Sequence, residues 1–478
     1  MPAPHPTPGL LLSCLLLAVA ATASAQNAKE TRPPNILFIL VDDLGWRDLG
    51  YTGSDFYESP HIDRLAAQSY VFDRAYSAHP VCSPTRAAIL TGRHPTRIGI
   101  TDWIPGLNPP DRALENIRDL DSLPLAEITV AEILSQHGYR TFFAGKWHLG
   151  GEGYLPTDQG FATNIGGGHY GQPPGGYYSP YQNPKLPDGP PGEYLTDRLT
   201  EETLGFIREN HDRPFFAYLS YYTVHTPIQA ARRHLVRFEA KRDSLGLQSP
   251  ELVDEHGART VTRQYDPAYA SMIYALDENV GRLLDALDEL GIRDKTLIVF
   301  TSDNGGLSTL ATQHQWTAPT SVRPLRAGKG WAYEGGIRVP LIIDRPRPAP
   351  PATVSVPVVS MDLLPTILEE AGVTYSPPTP LDGRSLIPLM DGTLDTLNRS
   401  LFWDYPHYHG SGWTPGQALR MEDFKLVCFY ETDTCELYDL SQDAFEQTDI
   451  AGREPGILID LMTELVLWRN RLGTRRPQ

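Results

Sequence analysis

The 478-residue chain is poor in cysteine, with four, and short of positive charge, with 41 Lys and Arg against 58 Asp and Glu, a formal net charge of −17. The charge deficit argues against nucleic acid or an anionic membrane as partner, because a polyanion needs a positive surface. An anionic ligand must therefore meet a locally positive pocket. A membrane-spanning run is also missing: the apolar stretch from Gly9 to Ala21 is too short to cross a bilayer. It is followed by Ala23, Ser24 and Ala25, an A-x-A site, so residues 1–25 are expected to be a secretory signal cleaved before Gln26, although residues 1–8 carry no Lys or Arg. An exported protein, periplasmic or secreted, is expected. Cys14 leaves with the leader, which reduces the cysteines to Cys82, Cys428 and Cys435. The last two flank Phe429 to Thr434, a hairpin candidate between FKLV and ELYDL; a disulfide and two free thiols both fit.

What is present is an alternation of β-branched runs and helical patterns, the mark of an α/β domain with a mainly parallel sheet. Strands are predicted at Asn35 to Val41, Thr141 to Ala144, Phe215 to Ser220, Leu297 to Thr301 and Val339 to Ile343, and a helix at Pro60 to Ser69. The clearest helix precedes Leu297, with Ile273, Leu276, Val280, Leu283, Leu287 and Leu290 at three- and four-residue spacing and Gly291 as its stop. Residues 166–194 are rich in Gly, Pro and Tyr and predict an ordered surface loop. Ser360 to Ala371 is again helical, and beyond about Gly383 the pattern suits a small antiparallel sheet with a final helix near Ile457 to Arg469. The expected organisation is a catalytic α/β domain over 33–383 and a C-terminal α+β subdomain over 384–478.

Polar residues recur just past the strand ends: Asp42 and Asp43, Lys146 and His148, His225, then Asp303 and Asn304. Open α/β sheets bind ligands at the carboxyl ends of their strands, so these distant segments are expected to converge. Asp42, Asp43, Asp303 and Asn304 offer hard oxygen ligands suited to calcium or magnesium. Adjacent aspartates in a regular strand face opposite ways, so both reach one ion only where the strand bends. Each pair alone also fits a turn or cap.

Cys82 begins the string CSPTRAAILTGR. With PNILFILVDDLGW at 34–46, GKWHLG at 145–150, YTVHTP at 222–227, TSDNGG at 301–306 and GKG at 328–330, it resembles the formylglycine-dependent type I sulfatases over nearly the whole mature chain. The resemblance implies an alkaline phosphatase-like fold: a large mixed, mainly parallel sheet flanked by helices, with a smaller C-terminal antiparallel sheet plus helix. It implies that a formylglycine-generating maturation enzyme reads Pro84 and Arg86 in the unfolded chain and converts Cys82 to an aldehyde. It further implies one calcium ion held by Asp42, Asp43, Cys82, Asp303 and Asn304. In that reading the hydrated aldehyde attacks sulfur, and its second hydroxyl then lets the sulfated intermediate collapse. Arg86 and His148 support the hydrate; Lys146, His225 and Lys329 contact the sulfate, with His225 or Lys146 the proton donor. Ser83 and Thr85 receive no role.

Substrate specificity is expected from outside the sulfate pocket. Tyr177 and its neighbours Tyr170, Tyr178, Tyr181 and Tyr194 are candidates to stack on sugar faces or merely to fill the loop, and Trp103, His169, His314, Gln315 and His407 are rim candidates. The resemblance, with YEGGIRVP at 333–340, points to sulfated carbohydrate substrates carrying galactose or N-acetylgalactosamine sulfates. A phosphodiesterase or phosphonate monoester hydrolase is the rival hydrolase. A non-catalytic exported glycan-binding protein, with Cys82 a plain thiol, is the rival of another class.

Overall fold

The computed structural model describes residues 1–3, 32–107, 112–115, 117–346 and 350–478. Most of the expected leader, including its cleavage site, lies outside the described residues. Among those described, no helix is long and apolar enough to cross a membrane. Residues 34–478 form one compact unit.

Its centre is an eight-stranded sheet. In chain order the strands are β1 (Asn35–Val41), β2 (Tyr70–Phe72), β3 (Arg140–Gly145), β4 (Thr163–Ile165), β5 (Phe215–Ser220), β6 (Thr296–Ser302), β7 (Leu341–Asp344) and β8 (Ala352–Val354). Across the sheet they run β8-β2-β7-β6-β1-β5-β3-β4. β1 is parallel to β5 and β6, and β3 to β5 and β4, while β7 runs antiparallel to both β6 and β2. Every residue of β1 is buried because both faces are covered. Leu37, Ile39 and Val41 share one core with Ile273, Leu276, Val280, Leu283 and Leu287 of the helix Pro267–Glu289; Ile36, Phe38 and Leu40 face a second core with Ala87, Ile89 and Leu90. The long helix starts where Asp266 caps the amides of Ala268 and Tyr269 and Pro267 fills the first turn.

The string at Cys82 folds as a helix, Cys82–Thr91, that the sequence pattern did not announce. All ten residues are buried, so no polar face marks its period. Gly92, at φ 65°, closes it in the left-handed conformation that glycine adopts without a Cβ clash.

Beyond residue 384, four strands form an antiparallel sheet: β9 (Leu401–Tyr405), β10 (Gly416–Met421), β11 (Phe424–Phe429) and β12 (Thr434–Asp439). The helix Pro455–Leu472 covers one face through Leu461 and Leu465. The other face shares a core with Trp331, Tyr333 and Trp413, which ties this sheet to the 328–337 segment. Cys428 and Cys435 pair across β11 and β12 and are joined as a disulfide.

Candidate active site

The carboxyl ends of β1, β3, β5 and β6 lie side by side: Leu40 pairs with Ser220, Val41 with Ser302 and Gly145 with Ser220. Asp42 continues the line of β1, and at Asp43 the chain turns with φ 59°, the bend that lets adjacent aspartates serve one site. Gly145 allows the exit from β3, since a Cβ there would stand 1.8 Å from the Ser220 carbonyl oxygen.

Three cations meet three carboxylates in this buried cluster. Lys146 Nζ donates to both oxygens of Asp42 at 2.9 and 2.8 Å. Lys329 Nζ lies 2.7 and 2.8 Å from the two oxygens of Asp43. Arg86 Nε donates to Asp303 at 2.9 Å, while its Nη1 donates to the Lys146 carbonyl and Ser220 Oγ, both at 2.7 Å. Burial opposes the Arg86 charge, but Asp303 and Asp42 outweigh it and keep the guanidinium protonated. Burial pushes Asp42 up to about 8 in spite of Lys146, whereas for Asp43 the same penalty is overcome by Lys329, His225 and Lys146, which hold it below the ordinary carboxylate range.

The donor set fits a hard cation. Asn304 Nδ2 donates to Asp43 at 2.8 Å and to the Gly305 carbonyl at 3.0 Å, leaving Asn304 Oδ1 buried without a hydrogen-bond partner. A buried carbonyl oxygen without a donor beside three buried carboxylates is an arrangement a divalent cation satisfies. Ligand atoms of Asp42, Asp43 and His225 also fall within 4.8 Å of one another.

Cys82 opens its helix at the edge of this cluster, with Sγ 3.3 Å from His148 Nδ1. His148 Nε2 is 2.5 Å from the Ile104 carbonyl, which accepts its proton, so Nδ1 is the acceptor facing position 82. Burial, reinforced by Lys146, drives the His148 pKa well below its usual value and keeps the ring neutral. Burial also pushes the Cys82 thiol up, which makes the unmodified side chain a poor nucleophile at neutral pH. His225 is only partly buried and reaches to 3.8 Å from Asp43; burial and then Lys329 bring its pKa down to about 3.

Asp43, Cys82, His148, His225 and Lys329 form one end of a cavity of about 530 Å³. Of the expected rim residues, Trp103, His169 and His314 line it. Three others do not. Tyr177 is fully buried and donates to the carbonyls of Tyr222 and His225 at 2.6 and 2.8 Å, so it braces the His225 turn instead of stacking on a ligand. His407 is buried beneath the wall, with Nε2 2.8 Å from Thr101 Oγ1. Gln315 is exposed and away from the cavity lining. Tyr181 and Tyr194 are likewise core residues; Tyr170 does reach the cavity.

Sequence reasoning missed His409, Trp316, Leu307 and Leu310 in the lining. It also missed Ser83, whose hydroxyl donates to the His148 carbonyl at 2.9 Å and accepts from the Ile104 amide at 3.1 Å. The two-residue step between His407 and His409 was the available signal for the first; nothing in the motif distinguished Ser83.

The sulfatase family model matches residues 34–373, and the model of the N-sulphoglucosamine sulphohydrolase C-terminal region matches residues 327–466. A sulfatase of Formosa agariphila is 31% identical over 94% of this chain and 89% of its own length. Human arylsulfatase A is 31% identical, covering 94% of this chain and 89% of its own, and mouse N-acetylgalactosamine-6-sulfatase is 32% identical, covering 91% and 80%. Among solved structures, Ps i-CgsB in complex with k-i-k-neocarrahexaose superposes with a TM-score of 0.73 at 29% identity, covering 91% of this chain and 93% of that one. A phosphonate monoester hydrolase of Agrobacterium radiobacter, at 20% identity and a TM-score of 0.63 over 92% and 96% of the two chains, shares the fold. With a family match over most of its length and strand ends that gather acids, cations and a buried cysteine, this chain belongs to the sulfatase family, sulfuric ester hydrolases of the alkaline phosphatase-like fold.

Proposed function

We propose that the chain hydrolyses sulfate esters of carbohydrates, galactose or N-acetylgalactosamine sulfates, at Cys82 after its conversion to formylglycine, with one calcium ion at Asp42, Asp43, Asp303, Asn304 and position 82. The observation that carries this reading is the contact between Cys82 and a neutral His148 at the cationic end of the cavity. When present, the hydrated aldehyde and the ion supply a nucleophile with a second hydroxyl and a fixed positive charge.

The chain's own residues do the rest. His148 Nδ1 accepts a proton from the group at position 82, because the far nitrogen is committed to Ile104. Arg86, fixed by Asp303, Ser220 and the Lys146 carbonyl, supplies charge without reorganising. Lys329 lines the cavity and offers its ammonium to sulfate oxygens, with Lys146 behind it on Asp42. His225 or Lys146 is the candidate donor to the leaving alcohol; His225 Nδ1 is committed to the Thr226 carbonyl at 2.9 Å, so that ring donates through Nε2 only once protonated.

The names of the mouse relative and the oligosaccharide complex support a sulfated sugar as substrate. The Cys428 to Cys435 disulfide supports export to an oxidising compartment, periplasmic or extracellular, after removal of residues 1–25. Production of the full chain with a formylglycine-generating enzyme, mass analysis of the Cys82 peptide, and sulfate release from sulfated galactosides, galactosaminides and glucosaminides test the proposal. An aldehyde at position 82 with sulfate release from the first two classes is expected. A retained thiol in active protein, or activity confined to phosphodiesters or phosphonate monoesters, overturns it.

A further inference from the structure

Away from its cationic end, the cavity changes character. Trp103, Leu107, Tyr170, Leu307, Leu310 and Trp316 supply its walls. Among the described residues of the lining, Asp43 and Lys329 are the only Asp, Glu, Lys or Arg, and they are paired with each other. Two of the three wall imidazoles are tied back to the protein through one nitrogen each, and the third, His169, packs its ring on Tyr170. His409 Nδ1 accepts from the Ser411 amide at 3.2 Å, which leaves that nitrogen unprotonated, and His314 Nε2 donates to the Gly410 carbonyl at 2.9 Å. Arg259, behind the His314 segment, directs its guanidinium to the carbonyls of His314 and Thr312 at 3.0 and 3.4 Å. Among the described residues, the walls thus hold mainly ring faces and methyl groups, with the neutral polar groups of Gln172, Thr226 and Ser411 and the His169 imidazole, and no Lys or Arg besides Lys329.

A monoester sulfate brings one negative charge, and the Lys329 end receives it. A second sulfate or a carboxylate on the same ring, or on the ring beside it, would leave water for a largely apolar wall whose described residues offer it no second lysine or arginine. That transfer is costly for any ion, whereas the C–H face of a neutral sugar or an aryl ring gains contact with indole and phenol rings. Selection by an unpaired charge on the wrong ligand is a general route to specificity.

Resting on the sulfatase reading above, we propose that this cavity selects singly sulfated esters whose leaving group is otherwise neutral and presents an apolar ring face, and that it rejects substrates bearing a second anionic group near the ester. Trp316, 45% exposed on the wall, is a specificity-determining position.

The test uses the matured full chain and two matched pairs of probes. One pair is the methyl ester and the free acid of 4-carboxyphenyl sulfate. The other is the best-cleaved monosulfated galactoside and its disulfated counterpart. The member of each pair whose leaving group is uncharged is expected to be favoured by about 10-fold or more in kcat/KM, the equivalent of ~1.4 kcal/mol. Trp316→Arg, which places a cation on the wall, is expected to shrink both ratios severalfold; because the ratio is compared between two enzymes, intrinsic differences between the leaving groups cancel. Equal kcat/KM within both pairs, or a preference for the members with a second anionic group, overturns the inference while leaving the sulfatase reading intact. Cleavage of no sulfate ester by aldehyde-containing protein overturns the sulfatase reading and the inference with it.

Discussion

His148 and Cys82 meet through one specific nitrogen: Nδ1 stands 3.3 Å from Sγ, and Nε2 is held 2.5 Å from the Ile104 carbonyl. A neutral ring so fixed has its single proton on the far side, which makes the near nitrogen a base. His148→Ala is therefore expected to lower kcat by roughly 10²- to 10⁴-fold, the usual range for a positioned base. The comparison is made on preparations matched for aldehyde content at position 82, so that impaired maturation is not mistaken for impaired chemistry.

Ser83 holds the same arrangement from behind. Its hydroxyl joins the Ile104 amide to the His148 carbonyl, the two segments that set the imidazole in place. Ser83→Ala leaves the buried Ile104 amide without this acceptor, a change worth about 1–3 kcal/mol. A lower thermal midpoint and reduced kcat with little change in KM are expected. Because Ser83 acts through His148, the acidic limb of the kcat profile should move as well; an unmoved profile would leave Ser83 a purely structural residue.

Much of this site is legible in the sequence because its parts sit where a buried parallel strand stops. β1, β5 and β6 read as β-branched or aromatic runs, and the polar residues that end them, Asp42 and Asp303 among them, can only be at the carboxyl edge. The helix that carries Cys82 is not legible for the converse reason: with all ten residues buried, its pattern has no polar face and no period. Ring direction is also invisible in composition. Tyr170 and Tyr177 belong to the same Gly- and Pro-rich stretch, yet one lines the cavity and the other points into the core to hold two carbonyls. The correspondence of His407 and His409 fails similarly, since Thr101 claims the first and leaves the second on the wall.

Asn304 Oδ1, buried and without a donor, makes the metal reading testable on stability as well as rate. Calcium is expected to raise the unfolding midpoint of the wild-type chain, with about 2.7 kcal/mol gained at a hundred times the dissociation constant, and a calcium chelator to reverse it. Asn304→Ala should weaken the calcium-induced shift. Asp303→Ala should weaken it too and, by freeing Arg86 from its main carboxylate, destabilise the chain even without calcium. An undiminished calcium shift in Asn304→Ala would remove that residue from the ligand set.

Asp404 supplies a pH dependence away from the active site. It is buried, its carboxylate partners are the hydroxyls of Tyr430 at 3.2 Å and Thr96 at 3.5 Å, and burial pushes it up to about 7. The folded state therefore binds a proton that the unfolded chain has already lost between about pH 4 and 7. The stabilisation from that proton is complete below the unfolded value and disappears as pH rises through the folded one. Asp404→Asn, which imitates the protonated carboxyl, should remove this component, at most about 1.4 kcal/mol per pH unit. Urea midpoints of wild type and variant between pH 5 and 8 measure it: the variant should gain relative to the wild type as pH rises.

Lys425 offers the severest test of how the C-terminal sheet is attached. Fully buried on β11, its ammonium lies 3.0 Å from Glu334 and 2.7 Å from Glu446, and Glu446 also accepts from the Glu334 amide at 2.7 Å. Tyr76 donates to the other Glu334 oxygen at 2.8 Å, and Arg420 adds charge nearby. Lys425→Met keeps the stem's volume and removes the charge, stranding two buried carboxylates beside each other. Breaking a buried pair in this way costs about 3–5 kcal/mol, because the remaining ions keep their desolvation penalty without their partner. The double variant Lys425→Met/Glu446→Gln removes one of those ions and should recover part of the loss. If the single and double variants unfold at the same denaturant concentration, Glu446 is not paired with Lys425 in solution. Glu334 lies five residues after Lys329 on the same segment, so the single variant is also expected to lower kcat/KM, and the double variant to recover part of both quantities together.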